Sequence, residues 1–151
     1  MLERQFAPCF ALYGHGWEGH RSWNGPLAFE DQGEANRSAR LSATWDHFPV
    51  FANYTSSRVP ISLASGVPHV TNYRPGLKLI YPPGSGLYWG KTVRSVAETV
   101  AVVLAMPRKD LLAIGEHAAC FARDHRSQEA LMEHLVEDVS AFRSSTARGE
   151  G

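Results

Sequence analysis

The sequence has few of the residues that hold metals or cross-links. Its 151 residues include two cysteines, Cys9 and Cys120, and neither stands in a CxxC or Cys/His spacing. The seven histidines also lack the spacing of a metal site, so we expect no bound metal. Reduced, buried thiols are typical of cytoplasmic proteins, and we expect that location and that state here, with a disulfide as the alternative.

The sequence also lacks an excess of charge and any long apolar run. It has 15 basic and 15 acidic residues, which gives no electrostatic argument for binding nucleic acid or an anionic membrane. No run approaches the roughly 20 apolar residues of a spanning helix. The segment Met1–Phe6 lacks the basic and apolar pattern of a secretory signal. We therefore expect no nucleic-acid partner and no integral membrane contact.

What the chain does contain is enough apolar residues, 44%, for one core. We predict a single domain over residues 1–143. Residues 144–151 are small and polar, and this composition predicts a disordered tail.

The order of apolar segments predicts the fold class. Short segments predict strands at Phe10–Tyr13, Leu27–Phe29, Arg40–Trp45, His69–Thr71 and Leu77–Tyr81. Short helices are expected at Asp31–Ala39 and Val59–Ser65, the second ended by Gly66, while Pro49 begins a loop. Three apolar stripes after Lys91 predict three helices, with Ser127 capping the last. This order predicts an α/β, Rossmann-like three-layer sandwich with a mainly parallel sheet and a helical C-terminal end.

The segment Thr55–Arg58 is the main candidate for a site, because ligands of such folds bind at the carboxyl ends of the strands. Hydroxyl groups and free amides at a helix start match phosphate oxygens, and Arg58 could bind a diphosphate with two hydrogen bonds. A helix N-cap beside a surface arginine is the alternative. Gly14–Trp17 is a second candidate, in which His15 could donate to a phosphate or a sugar hydroxyl; a simple tight turn is the alternative.

The segment Gly84–Thr92 ends in Gly-Lys-Thr and resembles a P-loop, but its spacing is wrong. The first glycine of that motif would fall at Ser85. A P-loop phosphotransferase is therefore the disfavoured hypothesis, and it would require magnesium-dependent ATP binding through Lys91.

A fixed order of short motifs carries a family resemblance. The motifs are Tyr13–Trp17, Gly25-Pro26, Asn36–Ala39, Arg58 and Leu63–Gly66. This order resembles the C-terminal, nucleotide-sugar-binding half of a GT-B glycosyltransferase of the spore-maturation-protein-like kind, related to glycosyltransferase family 1. The resemblance covers most of residues 10–142.

The resemblance implies transfer of a sugar from a nucleoside-diphosphate sugar, which is a substrate and not a cofactor, to an unknown acceptor. The donor-binding residues that it implies are Gly14, His15, Asn53, Thr55, Ser56, Ser57, Arg58 and Ser62. No catalytic residue is assigned, because in inverting members of this fold the base usually lies on the other domain.

Two departures from the family pattern favour a second hypothesis. Many retaining relatives carry two glutamates eight residues apart, where this chain has Asn53 and Ile61. Asparagine can still bond a sugar hydroxyl, but isoleucine cannot hold a ribose. The family also needs an acceptor domain, so we expect a separate acceptor-domain protein or a second copy as partner. The alternative function is a non-catalytic nucleotide-sugar-binding or assembly module derived from such an enzyme.

Overall fold

The structure, a computed structural model, describes residues 2–48 and 50–148. Its elements in chain order are α1 (Leu2–Phe6), α2 (Gln32–Arg37), β1 (Ser42–Ala43), α3 (Arg58–Ala64), β2 (His69–Asn72), α4 (Leu77–Ile80), β3 (Leu87–Gly90), α5 (Val93–Leu104), α6 (Arg108–Arg126) and α7 (Gln128–Arg148). Pro49, which we expected to begin a loop, lies outside the described residues.

The three strands form one parallel sheet in the order β1, β2, β3. Ser42 of β1 is in register with His69 of β2, and His69 is in register with Leu87 of β3. Helix α3 connects β1 to β2, and three helices follow β3. The predicted α/β class with a parallel sheet and a helical C-terminal end is therefore confirmed.

Two apolar cores lie on opposite faces of the sheet. Successive residues of a strand point to opposite faces. Leu87 accordingly packs in a core formed mainly by α3, α4 and α6, while Tyr88 packs against a core formed mainly by β2, α5 and Leu111 of α6. Helix layers thus cover both faces, as expected for a Rossmann-like sandwich.

All five predicted helices are confirmed, and two of them have the boundary residue that we expected. Helix α3 is followed by Gly66 with a left-handed φ of 75°, which serves as the predicted stop. Helix α7 begins after Ser127, whose Oγ accepts a hydrogen bond of 3.2 Å from the N–H of Ala130. Strands β1 and β2 also fall where they were predicted, although β1 has only two residues.

The predicted strand Leu77–Tyr81 is wrong, because this segment forms helix α4. Leu77 and Tyr81 are both fully buried, whereas Lys78 and Leu79 between them are exposed. That spacing of four residues is helical, and the N–H of Tyr81 donates to the carbonyl of Leu77 at 2.9 Å.

The strand missing from the prediction is β3, which lies inside Gly84–Thr92. Gly84 and Gly86 come before this strand instead of between a strand and a helix. The chain passes from β3 to α5 through Lys91 and Thr92. The P-loop hypothesis is therefore wrong in geometry as well as in spacing.

The N-terminal segment differs most from the prediction. Phe10–Tyr13 and Leu27–Phe29 are not strands; a single parallel bridge joins Leu12 to Trp23. Helix α1 was not predicted, and its Glu3 accepts a hydrogen bond of 2.7 Å from the N–H of Ser22. Several glycines with positive φ between residues 14 and 25 bend this segment out of an extended path.

Three smaller predictions concern the thiols, the tail and the membrane. Cys9 and Cys120 are both free and exposed, so the expectation of buried thiols is wrong. Helix α7 continues to Arg148, so residues 144–148 of the predicted disordered tail are helical, and residues 149–151 lie outside the described part. Among the described residues, no helix has the length and apolar character needed to cross a membrane.

Candidate functional site

Polar residues gather at the carboxyl edge of the sheet. Thr44–Asp46 follow β1, Tyr73-Arg74 follow β2, and Lys91 follows β3. Because the strands are parallel and adjacent, these three segments lie side by side at one edge.

The segment Asn53–Arg58, which we call the hydroxyl loop, is attached to this edge. The N–H of Asn53 donates to the carbonyl of Pro75 at 2.9 Å. The carbonyl of Tyr54 accepts a hydrogen bond from Nε of Arg74. Oγ1 of Thr55 lies 3.4 Å from the hydroxyl of Tyr81, whose pKa is raised by burial. The loop therefore lies where the sequence placed a ligand site.

The first turn of α3 does not offer the free amides that we expected. The N–H groups of Arg58 and Val59 donate to Oγ and the carbonyl oxygen of Ser56, at 3.3 and 3.1 Å. The third position of the helix is Pro60, which has no N–H. Ser57 and Arg58 are exposed, so their side chains are available to an anion at this helix start.

Ser62, which the resemblance assigned to the donor, does not fit that role. Its side chain is fully buried, and its Oγ donates to the carbonyl of Val67 at 3.5 Å. It lies beside Leu63 on the side of α3 that faces the core. A ligand at the exposed edge cannot reach it in this conformation.

Asn53 begins the hydroxyl loop in a left-handed conformation with φ of 58°. Its side chain lies directly against Gly76, where any Cβ atom would overlap its Oδ1. Gly76 itself has φ of 81°, a value that favours glycine. The side chain of Asn53 thus packs closely against Gly76. Asn53 is also exposed at the edge of the sheet, which is compatible with its predicted role in donor binding.

Gly14 and His15 belong to a separate loop. The carbonyl of Gly14 accepts a 2.8 Å hydrogen bond from the indole of Trp23, and its N–H donates to Gly25 at 3.0 Å. His15 is exposed. The hydrogen bonds of Gly14 stay within residues 14–25, so they do not join it to the hydroxyl loop.

The sequence prediction missed a buried polar group beneath the edge. Asp46 and Arg74 are fully buried and form an ion pair. Next to them, Nε2 of the buried His69 lies 2.9 Å from Oγ1 of Thr44. Burial, and to a smaller extent the charge of Arg74, lower the pKa of His69 to about 3. The signal for this pair in the sequence was weak: Asp46 directly follows the predicted strand Arg40–Trp45, whereas Arg74 lies three residues after the next predicted strand.

Lys91 adds an exposed positive charge to the same edge. Its Nζ lies 5.8 Å from the centre of the Tyr73 ring, within the range of a cation–π contact. Thr92 and Ser95 cap α5 reciprocally, with N–H to Oγ distances of 2.9 and 3.1 Å. The amides of Thr92 and Ser95 are thereby used within the protein, and Lys91 remains exposed.

These features define a Rossmann-like α/β domain with hydroxyl and cationic side chains at the carboxyl edge of its parallel sheet. Residues 2–138 match the model of the family described as glycosyl transferase-like, and the chain belongs to that family. No curated protein and no solved structure matches the chain significantly. The resemblance to glycosyltransferases is thus confirmed at the level of the family.

Proposed function

We propose that this chain is the donor-binding domain of a glycosyltransferase. On this proposal it binds a nucleoside-diphosphate sugar, from which the sugar passes to an acceptor. The observation that carries the proposal is the exposed pair Ser57 and Arg58 at the carboxyl edge, in a chain that belongs to the glycosyl transferase-like family.

The diphosphate is the part of the donor that this edge suits best. The guanidinium of Arg58 can form two parallel hydrogen bonds with phosphate oxygens, and the hydroxyl of Ser57 can donate a third. Lys91 contributes a second cation. Thr55 and Ser56 are half-buried and already bonded, so we assign them to the shape of the loop. Asn53 is the candidate for a sugar hydroxyl.

Calorimetric titration with a panel of nucleoside diphosphates and their sugars tests this proposal. We expect binding by the wild-type chain and a loss of about tenfold to a hundredfold in affinity for Arg58→Ala, as for removal of a hydrogen bond to a charged group.

The matched control is Arg108→Ala, which removes another exposed arginine, at the start of α6. This variant should bind as the wild type does. Equal losses in the two variants would indicate a general charge effect, and absence of binding to every nucleotide would overturn the proposal.

A non-catalytic binding module is the second candidate function. It is favoured by residues 53–64, which contain no aspartate or glutamate, and by Ile61, which is half-buried on α3. Release of nucleoside diphosphate from a bound donor distinguishes the two functions. If the chain binds the donor but releases no nucleoside diphosphate, even after candidate acceptor-domain proteins are added, the non-catalytic binding module is supported.

Transfer also requires a surface for the acceptor. We propose that a separate acceptor-domain protein or a second copy of the chain supplies it, in the cytoplasm. Co-purification of the chain with such a protein, or dimer formation in the presence of donor, would support this arrangement.

A further inference from the structure

The buried ion pair connects the ends of two strands. Asp46 follows β1, and its N–H donates to Oδ1 of Asn72, the last residue of β2, at 2.7 Å. Its carbonyl accepts a 3.3 Å hydrogen bond from Nδ2 of the same asparagine. Asp46 is therefore fixed to the end of β2, and its carboxylate faces Arg74, two residues farther along.

Arg74 extends this connection to the hydroxyl loop. Its Nε donates to the carbonyl of Tyr54, and its guanidinium carbon lies 5.5 Å from the centre of the Tyr54 ring. The adjacent hydrogen bond from the N–H of Asn53 to the carbonyl of Pro75 also joins the loop to the segment after β2, and we call this contact region the junction. One fully buried side chain thus touches both the end of β1 and the backbone of the loop.

The hydrogen bonding of the pair is incomplete. In the described part of the chain, Oδ2 of Asp46 and both terminal nitrogens of Arg74 are buried without a well-aligned hydrogen bond. Such a pair gains little stability, because the desolvation of both charges offsets their attraction. Its main effect is geometrical.

We propose that Arg74, oriented by Asp46, is a positioning residue that holds the hydroxyl loop in the shape that presents Ser57 and Arg58 to a diphosphate. This inference rests on the proposed function of the loop. A loop that is ordered before binding does not lose conformational freedom when the ligand arrives, so its affinity is higher. Val50 and Phe51, which precede the loop, are 79% and 59% exposed, so burial of these side chains does little to hold it.

The main test uses a double variant, Asp46→Leu with Arg74→Met. Either substitution alone would leave a buried charge unpaired, whereas the double variant replaces both charges by apolar groups of similar length. We expect it to fold, and to bind a nucleoside diphosphate about tenfold more weakly, as for loss of one hydrogen bond to a charged group. Arg74→Lys keeps the charge pair but has a single donor nitrogen, so we expect an intermediate affinity.

Hydrogen exchange provides a readout that needs no ligand. The amide of Asn53 donates to Pro75 at the junction, and the amides of Arg58 and Val59 donate to Ser56 of the loop. In the double variant they should exchange about tenfold faster, while the amides of α5 keep their rates. If the double variant does not fold, Arg74→Lys takes its place, and a smaller increase in the exchange of the same amides is expected.

The outcomes separate this inference from the proposed function. If the wild type binds no nucleotide, the proposed function fails, and exchange alone decides the inference. Faster exchange confined to the loop supports positioning. Unchanged exchange, or unchanged affinity in a folded double variant, overturns it.

Discussion

At the scale of the residue, His69 is the most unusual titratable group of the described structure. It is fully buried on β2, and its Nε2 lies 2.9 Å from Oγ1 of Thr44. Burial and the nearby Arg74 lower its pKa from 6.5 to about 3. The folded protein therefore keeps this imidazole neutral at pH values where the unfolded chain protonates it.

This difference predicts a loss of stability in mild acid. The pKa of His69 in the unfolded chain is about 6.5, and below that pH the unfolded state binds a proton that the folded state does not. Protonation of His69 therefore does not affect stability well above pH 6.5, and it stabilises the unfolded state increasingly as the pH falls toward 3. We expect the free energy of unfolding to fall between about pH 6.5 and 5, with a slope that steepens to about 1.4 kcal/mol per pH unit near pH 5. Urea unfolding at several pH values measures this slope.

His69→Gln should remove the slope while keeping a polar partner for Thr44. His117→Gln, a substitution at an exposed position of α6, is the control and should keep the wild-type pH dependence. A slope that persists in the first variant would show that other groups cause it.

At the scale of the element, the sequence predicted what depends on local chemistry. The apolar stripes of α5 and α6 repeat over several helical turns, so they predict helices clearly. The end of α3 was predictable because Gly66 can adopt the left-handed conformation that it has there. The short run Leu77–Tyr81 was predicted as a strand and is a helix, because its structure is decided by burial against α3 and α6. Tertiary contacts overrode the local pattern there.

The candidate site also has features that were predictable from the sequence and features that were not. The place of the hydroxyl loop was predictable, because it lies between a strand and a helix. The inward orientation of Ser62 was not, because it depends on which side of α3 faces the core. The pair of Asp46 and Arg74 was also not predictable, since sheet register brings together residues far apart in the sequence.

The crossing of α3 and α6 gives a prediction for this scale. Gly115 of α6 lies against the carbonyl of Gly66, and a methyl group there would overlap that oxygen. Alanine gains about 1 kcal/mol in helix propensity, but overlap with backbone outweighs it, and we expect Gly115→Ala to lose about 2 kcal/mol of stability. Thermal or urea unfolding measures the change.

Gly33→Ala in α2 is the matched control. A Cβ atom there would meet only ordinary contacts, at 3.4 Å from Arg37 and 3.7 Å from Ser65. Its stability should stay equal or rise by up to about 1 kcal/mol. If both variants behaved alike, close packing at Gly115 would not be the cause.

At the scale of the whole molecule, α7 lies outside both cores. Its apolar residues Leu131, Met132, Leu135, Val136 and Val139 are about half exposed or more. Leu111 of α6, in contrast, is 5% exposed and belongs to the core beneath α5. Stability should therefore be distributed unevenly along the chain.

The same substitution at two leucines tests this difference. We expect Leu111→Ala to lower the free energy of unfolding by about 3 kcal/mol, because it leaves a cavity in a packed core. Leu135→Ala should change it by less than about 0.5 kcal/mol, because little buried surface is lost. Urea unfolding measures both changes. A large loss of stability for Leu135→Ala would mean that α7 packs more firmly than the structure shows.

The self-contained hydrogen bonding of the first turn of α3 has a consequence for how this domain can diversify. The N–H groups of Arg58 and Val59 are already bonded to Ser56, and Pro60 contributes no N–H. Positions 58–60 of the helix therefore offer no free N–H to an anion, and on the proposed function the exposed side chains of Ser57 and Arg58 provide the recognition. Single substitutions at residues 57 and 58 can therefore change which anion binds at this edge without changing the path of the main chain. In a site built from backbone amides, a change in selectivity would require a change in that path.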